Sequence, residues 1–376
     1  MENLHTISPT LNSKLILKNI SNDKQVFNAG LGENPLSTPF YLKKVLQSNI
    51  DKKEYSNIEG NDDFRKALFS NYPTNMKHTI VGNGLKELIF SLIFNWDKKI
   101  LIPIPCWVTY LEDLKILKKD YDTILTNQKN NFKLTPNELE EHIIKSNSKS
   151  SLLILNNPTN PTGAVYSEEE LNDLSLIFEK YDITVFCDEI YFNCSQDKIK
   201  SLSNIYSKCI IGSSLSKDWA SGGWRFGWMI FDKQLFNIHK KMVSFGSILY
   251  SCPSEFFNYV ASVAVNNSEN EIHFELQNKF FKKIADDVEK ELNKSKIIHT
   301  KFQGAWYKWI DFENYKQKLN NIGINESTSL AEYLVKEIGL IAVPGVYFGL
   351  DGLTLRLSLI DENLHLGIKK MVELIN

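Results

Sequence analysis

Between Ser214 and Arg225 the chain reads Ser-Leu-Ser-Lys-Asp-Trp-Ala-Ser-Gly-Gly-Trp-Arg, which sets Lys217 eight residues before Arg225. Two hydroxyls, Ser214 and Ser216, stand just ahead of the lysine, and Gly222-Gly223 just ahead of Trp224-Arg225. A lysine that condenses with an aldehyde needs a site that binds the aldehyde and lowers the amine pKa. An arginine and a serine beside it can hold a dianionic phosphate, because a planar guanidinium bonds two phosphate oxygens at once. Together these residues describe a pocket for pyridoxal phosphate. The competing reading is a surface lysine in a Ser/Gly-rich loop.

Arginine usage bears on the choice. Of 43 Lys and Arg residues only three are arginines: Arg65, Arg225 and Arg356. Lysine serves wherever charge alone is enough, so the arginines mark positions that need the fork geometry. Arg65 falls in the helical pattern Asp62-Asp63-Phe64-Arg65-Lys66-Ala67-Leu68, among acidic neighbours that can pair with it. Arg225 and Arg356 are left as anion binders. Arg356 sits inside the apolar run Thr354-Leu355-Arg356-Leu357-Ser358-Leu359. A charge there wants an anion, either a substrate carboxylate or a structural partner.

Other polar groups follow apolar runs. Asn156-Asn157-Pro158-Thr159-Asn160-Pro161-Thr162-Gly163 is a proline-stiffened loop that can carry a cis peptide before Pro161 and would fix Asn160 as a donor. Asp188-Glu189-Ile190-Tyr191 follows Val185-Phe186-Cys187. A carboxylate at the end of a buried strand is costly unless paired. Asp188 either caps a helix or faces a cation such as a protonated pyridine nitrogen, with Tyr191 near the ring's phenolic oxygen. Gly82-Asn83-Gly84-Leu85-Lys86 opens a helix whose free N–H groups suit phosphate, or is a plain strand-to-helix turn. Trp107, in Pro105-Cys106-Trp107, would stack on an aromatic ring or pack in the core.

The elements that must position these groups are short apolar runs alternating with helical patterns. Candidate strands are Thr79–Val81, Ile100–Ile104, Thr123–Leu125, Leu152–Leu155, Thr184–Cys187, Cys209–Gly212 and Phe226–Phe231. Helical periodicity covers Leu85–Ile93 and Glu168–Phe178, and Pro39 starts a helix through Leu42, Val45, Leu46 and Ile50. This alternation predicts an α/β fold with a mostly parallel seven-stranded sheet. The candidate groups all follow strand ends, where such sheets bind ligands. After a helical stretch, the last hundred residues read as a smaller α+β domain. The expected organisation is an arm over 1–35 that joins the smaller domain, a large domain over 36–260 and a small domain over 261–376.

With 43% hydrophobic residues the chain can bury a sizeable core, and its net charge of −2 favours neither nucleic acid nor an anionic membrane. Five cysteines without regular spacing, with no zinc pattern at Cys187 and Cys194, point to free thiols and a reducing, cytoplasmic setting. No signal peptide is visible, and no apolar run reaches the ~20 residues of a membrane span.

Asn-Pro-Thr-Asn-Pro-Thr-Gly, Asp-Glu-Ile-Tyr, Ser-x-Ser-Lys and Gly-Trp-Arg, in this order, resemble the motifs of the fold-type I pyridoxal-phosphate enzymes, specifically the class I/II aminotransferases. The resemblance runs from about Gly30 to Ser358. It implies amino transfer between an amino acid and a 2-oxo acid. Lys217 would be the Schiff-base lysine and proton shuttle, Asp188 the partner of the pyridine nitrogen, and Tyr191 and Asn160 the partners of the phenolic oxygen. Trp107 would be the stacking ring. Ser214, Arg225 and the backbone of Gly84, Leu85 and Lys86 would form the phosphate cup. Arg356 would anchor the substrate α-carboxylate, with Gly32 a backbone contact near it. Tyr55 would reach the phosphate of a neighbouring subunit, which implies a homodimer with shared sites. Gly222 and Leu85 depart from the pattern, which commonly has smaller or hydroxylated residues there.

Two other activities stand as alternatives. A C–S β-lyase on this scaffold often has His where Tyr191 stands, and a cofactor-sensing regulator would need an added DNA-binding domain that a 35-residue arm cannot hold. On the substrate, the lack of a third arginine near the site, and the nearness in sequence of Tyr110, Phe192 and Trp219, lead to the expectation of a neutral donor, aromatic or methionine-like.

Overall fold

The structure, a computed structural model, describes residues 25–376; the first part of the expected arm lies outside the described residues. After a short strand β1 (Phe27–Asn28) that lies outside it, its centre is a sheet of seven strands: β2 (Met76–Gly82), β3 (Ile100–Ile104), β4 (Tyr121–Leu125), β5 (Leu152–Asn156), β6 (Thr184–Asp188), β7 (Cys209–Ser214) and β8 (Gly227–Asp232). Their order across the sheet is β2-β8-β7-β6-β5-β3-β4. All neighbours are parallel except β8, which is antiparallel to both β7 and β2. The α/β expectation holds, and each expected strand is present. The edge strand β2 is longer than expected: it begins at Met76 and takes in the polar Lys77 and His78, which break the apolar pattern.

The central strands are buried on both faces, which their unbroken apolar runs require. Alternate residues divide between two cores. Leu153, Leu155, Val185 and Ile211 face one layer, and Leu152, Ile154, Phe186 and Ile210 the other. Removing one large ring from such a packed layer, as in Phe186→Ala, costs roughly 3–5 kcal/mol. Helices cover both faces. Thr135 and Ser167 each close a capping box, on Glu138 and Glu170, and Asn61 caps the helix Asp62–Phe69. Each such cap contributes about 1 kcal/mol.

A second, antiparallel sheet contains β9 (Ile298–His299), β10 (Tyr307–Asp311), β12 (Val343–Pro344) and β13 (Thr354–Ser358), in the order β12-β13-β10-β9. Its apolar face joins the long helix Asn270–Leu292 and the C-terminal helix Leu364–Ile375 in a third core, through Phe281, Ile284, Trp306, Leu355, Leu357 and Met371. β1 pairs in parallel with β11 (Leu340–Ile341), Phe27 opposite Leu340. That pairing brings the chain past residue 30 to the mouth of the large sheet. The helix Glu255–Asn266 packs on the helices Phe40–Asn49 and Asp62–Phe69 and runs unbroken through residue 260.

Candidate active site

A cavity of about 550 Å³ opens at the carboxyl ends of β5, β6 and β7 and is closed by residues 32–34, by Tyr307 of β10 and by Arg356 of β13. Its walls are supplied by loops that follow each strand, the usual place for ligands in such sheets. Lys217 lies half-buried in the cavity, three residues past the end of β7. Its Nζ donates to the Gly32 carbonyl oxygen and sits 5.7 Å from the centre of the Tyr191 ring and 5.5 Å from that of Trp306.

Asp188 ends β6 and is buried. The Tyr110 hydroxyl donates to Oδ2, and the Ile190 N–H donates to Oδ1 at 3.1 Å. Burial pushes its carboxyl up to about 6, against the pull of the Tyr110 hydroxyl, the Ile190 N–H and the Lys217 charge. It makes no ion pair with any described residue. Asn156, at the end of β5, holds the floor. Its Nδ2 donates to the Asp188 carbonyl at 2.8 Å, and its Oδ1 accepts from the Asn160 N–H at 2.7 Å. The peptides before Pro158 and Pro161 are cis.

Arg356 is buried in mid-strand, opposite Trp309 of β10 and Val343 of β12. Its Nη2 donates to the Gly30 carbonyl at 2.7 Å, and its Nη1 lies 3.5 Å from Asn160 Oδ1. The guanidinium rests 4.7 Å from the centre of the Tyr307 ring and 5.3 Å from that of Phe348. Among the described residues its Nε–H has no partner and no carboxylate pairs with it. Burial lowers its pKa from the ordinary guanidinium value, and nearby Tyr307 and Tyr191 oppose that shift. A buried guanidinium without a counter-ion is costly, and an incoming carboxylate would relieve the cost.

Arg225 is exposed and lies at the start of the helix Leu85–Asn95. Its Nη1 donates to the Gly222 carbonyl at 2.8 Å and its Nη2 to the Asn83 carbonyl at 2.9 Å. Gly84, with φ +90°, is the N-cap of that helix and offers no side-chain cap. A Cβ on Gly84 would sit 2.4 Å from Arg225 Nη2, and one on Gly227 would sit 2.3 Å from the Leu85 nitrogen. These two positions admit only glycine, and their closeness leaves a helix N-terminus, a guanidinium and bare backbone around one small space. Such an arrangement suits an anion.

Leu85, Lys86, Trp107, Asn160, Tyr191 and Gly32 also line the cavity. Trp107 meets Tyr110 edge-on at 5.3 Å, and Lys86 Nζ lies 5.7 Å from the centre of the Trp107 ring. The structure does not bring every candidate in. Ser214 is fully buried behind the wall, its Oγ accepting from the Ser216 N–H at 3.1 Å, and it is Ser216 that lines the cavity. Tyr55 is 92% exposed and lies outside this cavity. Arg65 pairs with Asp62 on its own helix and is likewise outside. Phe192 and Trp219 line a separate cavity of about 590 Å³ with Glu189 and Asp218, so the aromatic neighbourhood inferred from sequence order is reduced to Tyr110. Consecutive residues at a strand end point to opposite sides: Asp188 and Lys217 face one cavity, Glu189 and Asp218 the other.

The cavity also holds groups to which the sequence reading gave no role, or, for Tyr110, only that of an aromatic neighbour. Asn156 stands in the same loop motif as Asn160, and Tyr110 lies one helical turn past Trp107, so both carried a local signal. Tyr307, whose hydroxyl lies 2.8 Å from that of Tyr191, and Asn34, whose Nδ2 donates to the Lys217 carbonyl at 2.9 Å, carried none.

Among the described residues no helix is long and apolar enough to cross a membrane. The family model for "Aminotransferase class I and II" matches residues 24–366. A "Probable aspartate/prephenate aminotransferase" of Rickettsia felis is 29% identical, over 93% of this chain and 89% of its own length. "Aromatic-amino-acid aminotransferase 2" of Thermococcus litoralis is 26% identical, over 87% and 85%. In fold, the chain is similar to the aspartate aminotransferase of Thermus thermophilus solved with maleate, with a TM-score of 0.87, 22% identity and coverage of 98% and 97%. With the match spanning both sheets and the cavity between them, this chain belongs to the class I and II aminotransferase family.

Proposed function

We propose that the cavity binds pyridoxal phosphate and that the enzyme uses it to move an amino group between a neutral, aromatic or methionine-like amino acid and a 2-oxo acid. The observation that carries this reading is that Lys217 lines one cavity together with a buried Asp188 that has no ion-pair partner among the described residues, between the two arginines Arg225 and Arg356. The residues fit the cofactor. Asp188 lacks a cationic partner, which a pyridine nitrogen with its proton would supply. Arg225, the first turn of the helix Leu85–Asn95 and the Ser216 hydroxyl would hold the phosphate, with Ser214 behind them. Trp107 would cover the ring, and Tyr191 and Asn160 would donate to its phenolic oxygen.

Bound there, the cofactor supplies an electron sink for the charge that develops as a proton leaves the substrate Cα. Lys217 Nζ is the general base and acid that takes this proton and returns it. Arg356 and Asn160 receive the α-carboxylate and orient the Cα–H bond, and Tyr307, stacked on the guanidinium, limits its motion. The neutral-donor reading is supported by the cavity lining, where Arg225 and Arg356 are the only arginines and Ile89, Trp107, Ile190 and Tyr307 supply apolar surface. The relatives' names fall on both the acidic and the aromatic side.

The remaining expectations belong to the same proposal. The chain divides into a large unit from 36 and a small one, with the boundary in the turn 267–269 rather than at 260, since the helix Glu255–Asn266 crosses that point. Residues up to 35 join the small unit, as the pairing of Phe27 with Leu340 supports. The exposure of Tyr55 supports a homodimer in which it completes the partner's phosphate site. The free cysteines, four of them buried, fit a cytoplasmic enzyme.

The test is a screen of amino donors and oxo acids with the purified, cofactor-loaded protein. Amino acid and oxo acid are expected to exchange amino groups, with the oxo acid of the donor as product. Failure with every donor, or cleavage of a β-substituent in place of transfer, would overturn the reading.

A further inference from the structure

Lys217 is held by more than its side-chain contact to Gly32. Asn34 Nδ2 donates to the Lys217 carbonyl at 2.9 Å and to Gln277 Oε1 at 2.6 Å. Gln277 belongs to the long helix Asn270–Leu292 and is fully buried. Its Nε2 donates to Cys194 Sγ at 3.1 Å. Cys194 Sγ in turn donates to Asp218 Oδ1 at 3.1 Å. Asp218 is bonded covalently to Lys217, so the contacts form a closed ring: Gln277, Asn34, Lys217, Asp218, Cys194 and back to Gln277.

The ring is reinforced from outside. Asn193 gives Asp218 Oδ2 two further donors, its N–H at 3.0 Å and its Nδ2 at 2.7 Å. Asn278, next to Gln277, donates to the carbonyls of Asn193 and Ser195 at 3.0 and 2.9 Å. Asn34 Oδ1 accepts from the Leu36 N–H at 3.0 Å, which fixes its amide with the donor end toward Lys217. Gln277, Cys194 and Asp218 are each at most 1% exposed. A buried bond of this kind is expensive to break, because the group left behind has no water to turn to.

We infer that Gln277 and Asn34 are positioning residues, which act through this ring to fix the Lys217–Asp218 peptide and so the origin of the Lys217 side chain. The inference rests on the proposed role of Lys217 as the acting amine. The same short segment also carries the Gly32 and Gly30 oxygens that accept from Lys217 and Arg356. One helix residue thereby holds both the main chain of the lysine and the segment that meets its amine. A catalytic group displaced by about 1 Å loses roughly a hundredfold in rate, so a ring that removes part of this latitude has a kinetic consequence.

Three variants test it. Cys194→Ala opens the ring, Cys194→Ser keeps a donor and an acceptor at that place, and Gln277→Met cuts both arms. The first readout uses the cofactor-free protein: the rate at which acetic anhydride modifies Lys217, scored by peptide mapping against the other lysines of the same digest. The second uses the loaded enzyme, with kcat and KM measured separately. Cys194→Ala and Gln277→Met are expected to label Lys217 about tenfold faster and to lower kcat about tenfold, with KM for the amino donor within about twofold. Cys194→Ser should match the parent protein in both. If Cys194→Ser behaves as Cys194→Ala, or if opening the ring changes neither labelling nor kcat, the inference is overturned. If Gln277→Met does not fold, the Cys194 pair decides alone. Absence of a borohydride-fixed adduct on Lys217 in the loaded parent protein would instead remove the functional reading and leave the labelling result standing.

Discussion

The hydroxyls of Tyr191 and Tyr307 lie 2.8 Å apart, from chain positions 116 residues apart. Tyr191 follows the end of β6 and Tyr307 opens β10, so this bond ties the two sheets together across the cavity. The Tyr307 ring also carries the Arg356 guanidinium 4.7 Å from its centre. One ring thus orients a proposed cofactor donor and a proposed substrate anchor. Burial, more than the neighbouring Tyr307, pushes the Tyr191 phenol well above its ordinary pKa, so the proposed donor would act in its neutral form.

Tyr307→Phe removes the hydroxyl and keeps the ring under Arg356. The expected result is a fall in kcat/KM of about tenfold for every donor, the size of one lost hydrogen bond of roughly 1–1.5 kcal/mol, with cofactor affinity unchanged. A double-mutant cycle with Tyr191→Phe should show less than additive losses. Full additivity would mean that the two hydroxyls do not act through each other.

The two arginines should separate by readout. Arg225→Lys loses a fork at the phosphate site and should weaken cofactor retention, each charge-assisted bond contributing roughly 1.5–3 kcal/mol. Arg356→Lys should keep the cofactor and lower kcat/KM for all amino donors alike. Equilibrium dialysis of the cofactor and steady-state kinetics distinguish the two; release of cofactor by Arg356→Lys would reverse the assignments.

Asp188 makes the cofactor-free protein sensitive to pH. Its carboxyl is raised from 3.8 to about 6, so the folded state binds the proton more tightly than the unfolded one. The cost of burying the charge is therefore absent below about pH 4, grows as pH rises, and is complete above about pH 6. Asp188→Asn should raise the melting temperature of the cofactor-free protein at pH 8 relative to the parent, by an amount worth about 1–3 kcal/mol, and make no difference near pH 4. In the loaded protein the sign should invert, because the substitution removes the partner of the pyridine nitrogen. An unchanged melting difference from pH 4 to 8 would show that Asp188 is not the group responsible.

Donor preference tests the absence of a third arginine from the cavity. With one common oxo acid, kcat/KM for phenylalanine, tyrosine or methionine should exceed that for aspartate. Lys86, which lines the cavity, is the residue to change if it does not. A preference for aspartate of more than about tenfold, some 1.4 kcal/mol, would place an acidic side chain beside that lysine.

What the chain declares on its own is whatever sits within one strand-and-loop unit. Lys217, Asp188, Asn160 and Gly84 are each a few residues past an apolar run, so the strand and the group that it presents are read together. The seven strands were legible for the same reason. The direction of β8 was not, because a strand's apolar pattern is the same read up or down the sheet. Ser214 and Ser216, and Asp188 and Glu189, show the next limit. Which of two near neighbours faces the cavity depends on the turn after the strand, and the turn is set by packing. Tyr307, Asn34 and Gln277 lie beyond any local reading. Their bonds span 116, 183 and 243 residues, and only the seating of the second sheet and the long helix against the strand ends of the first brings their polar atoms within reach.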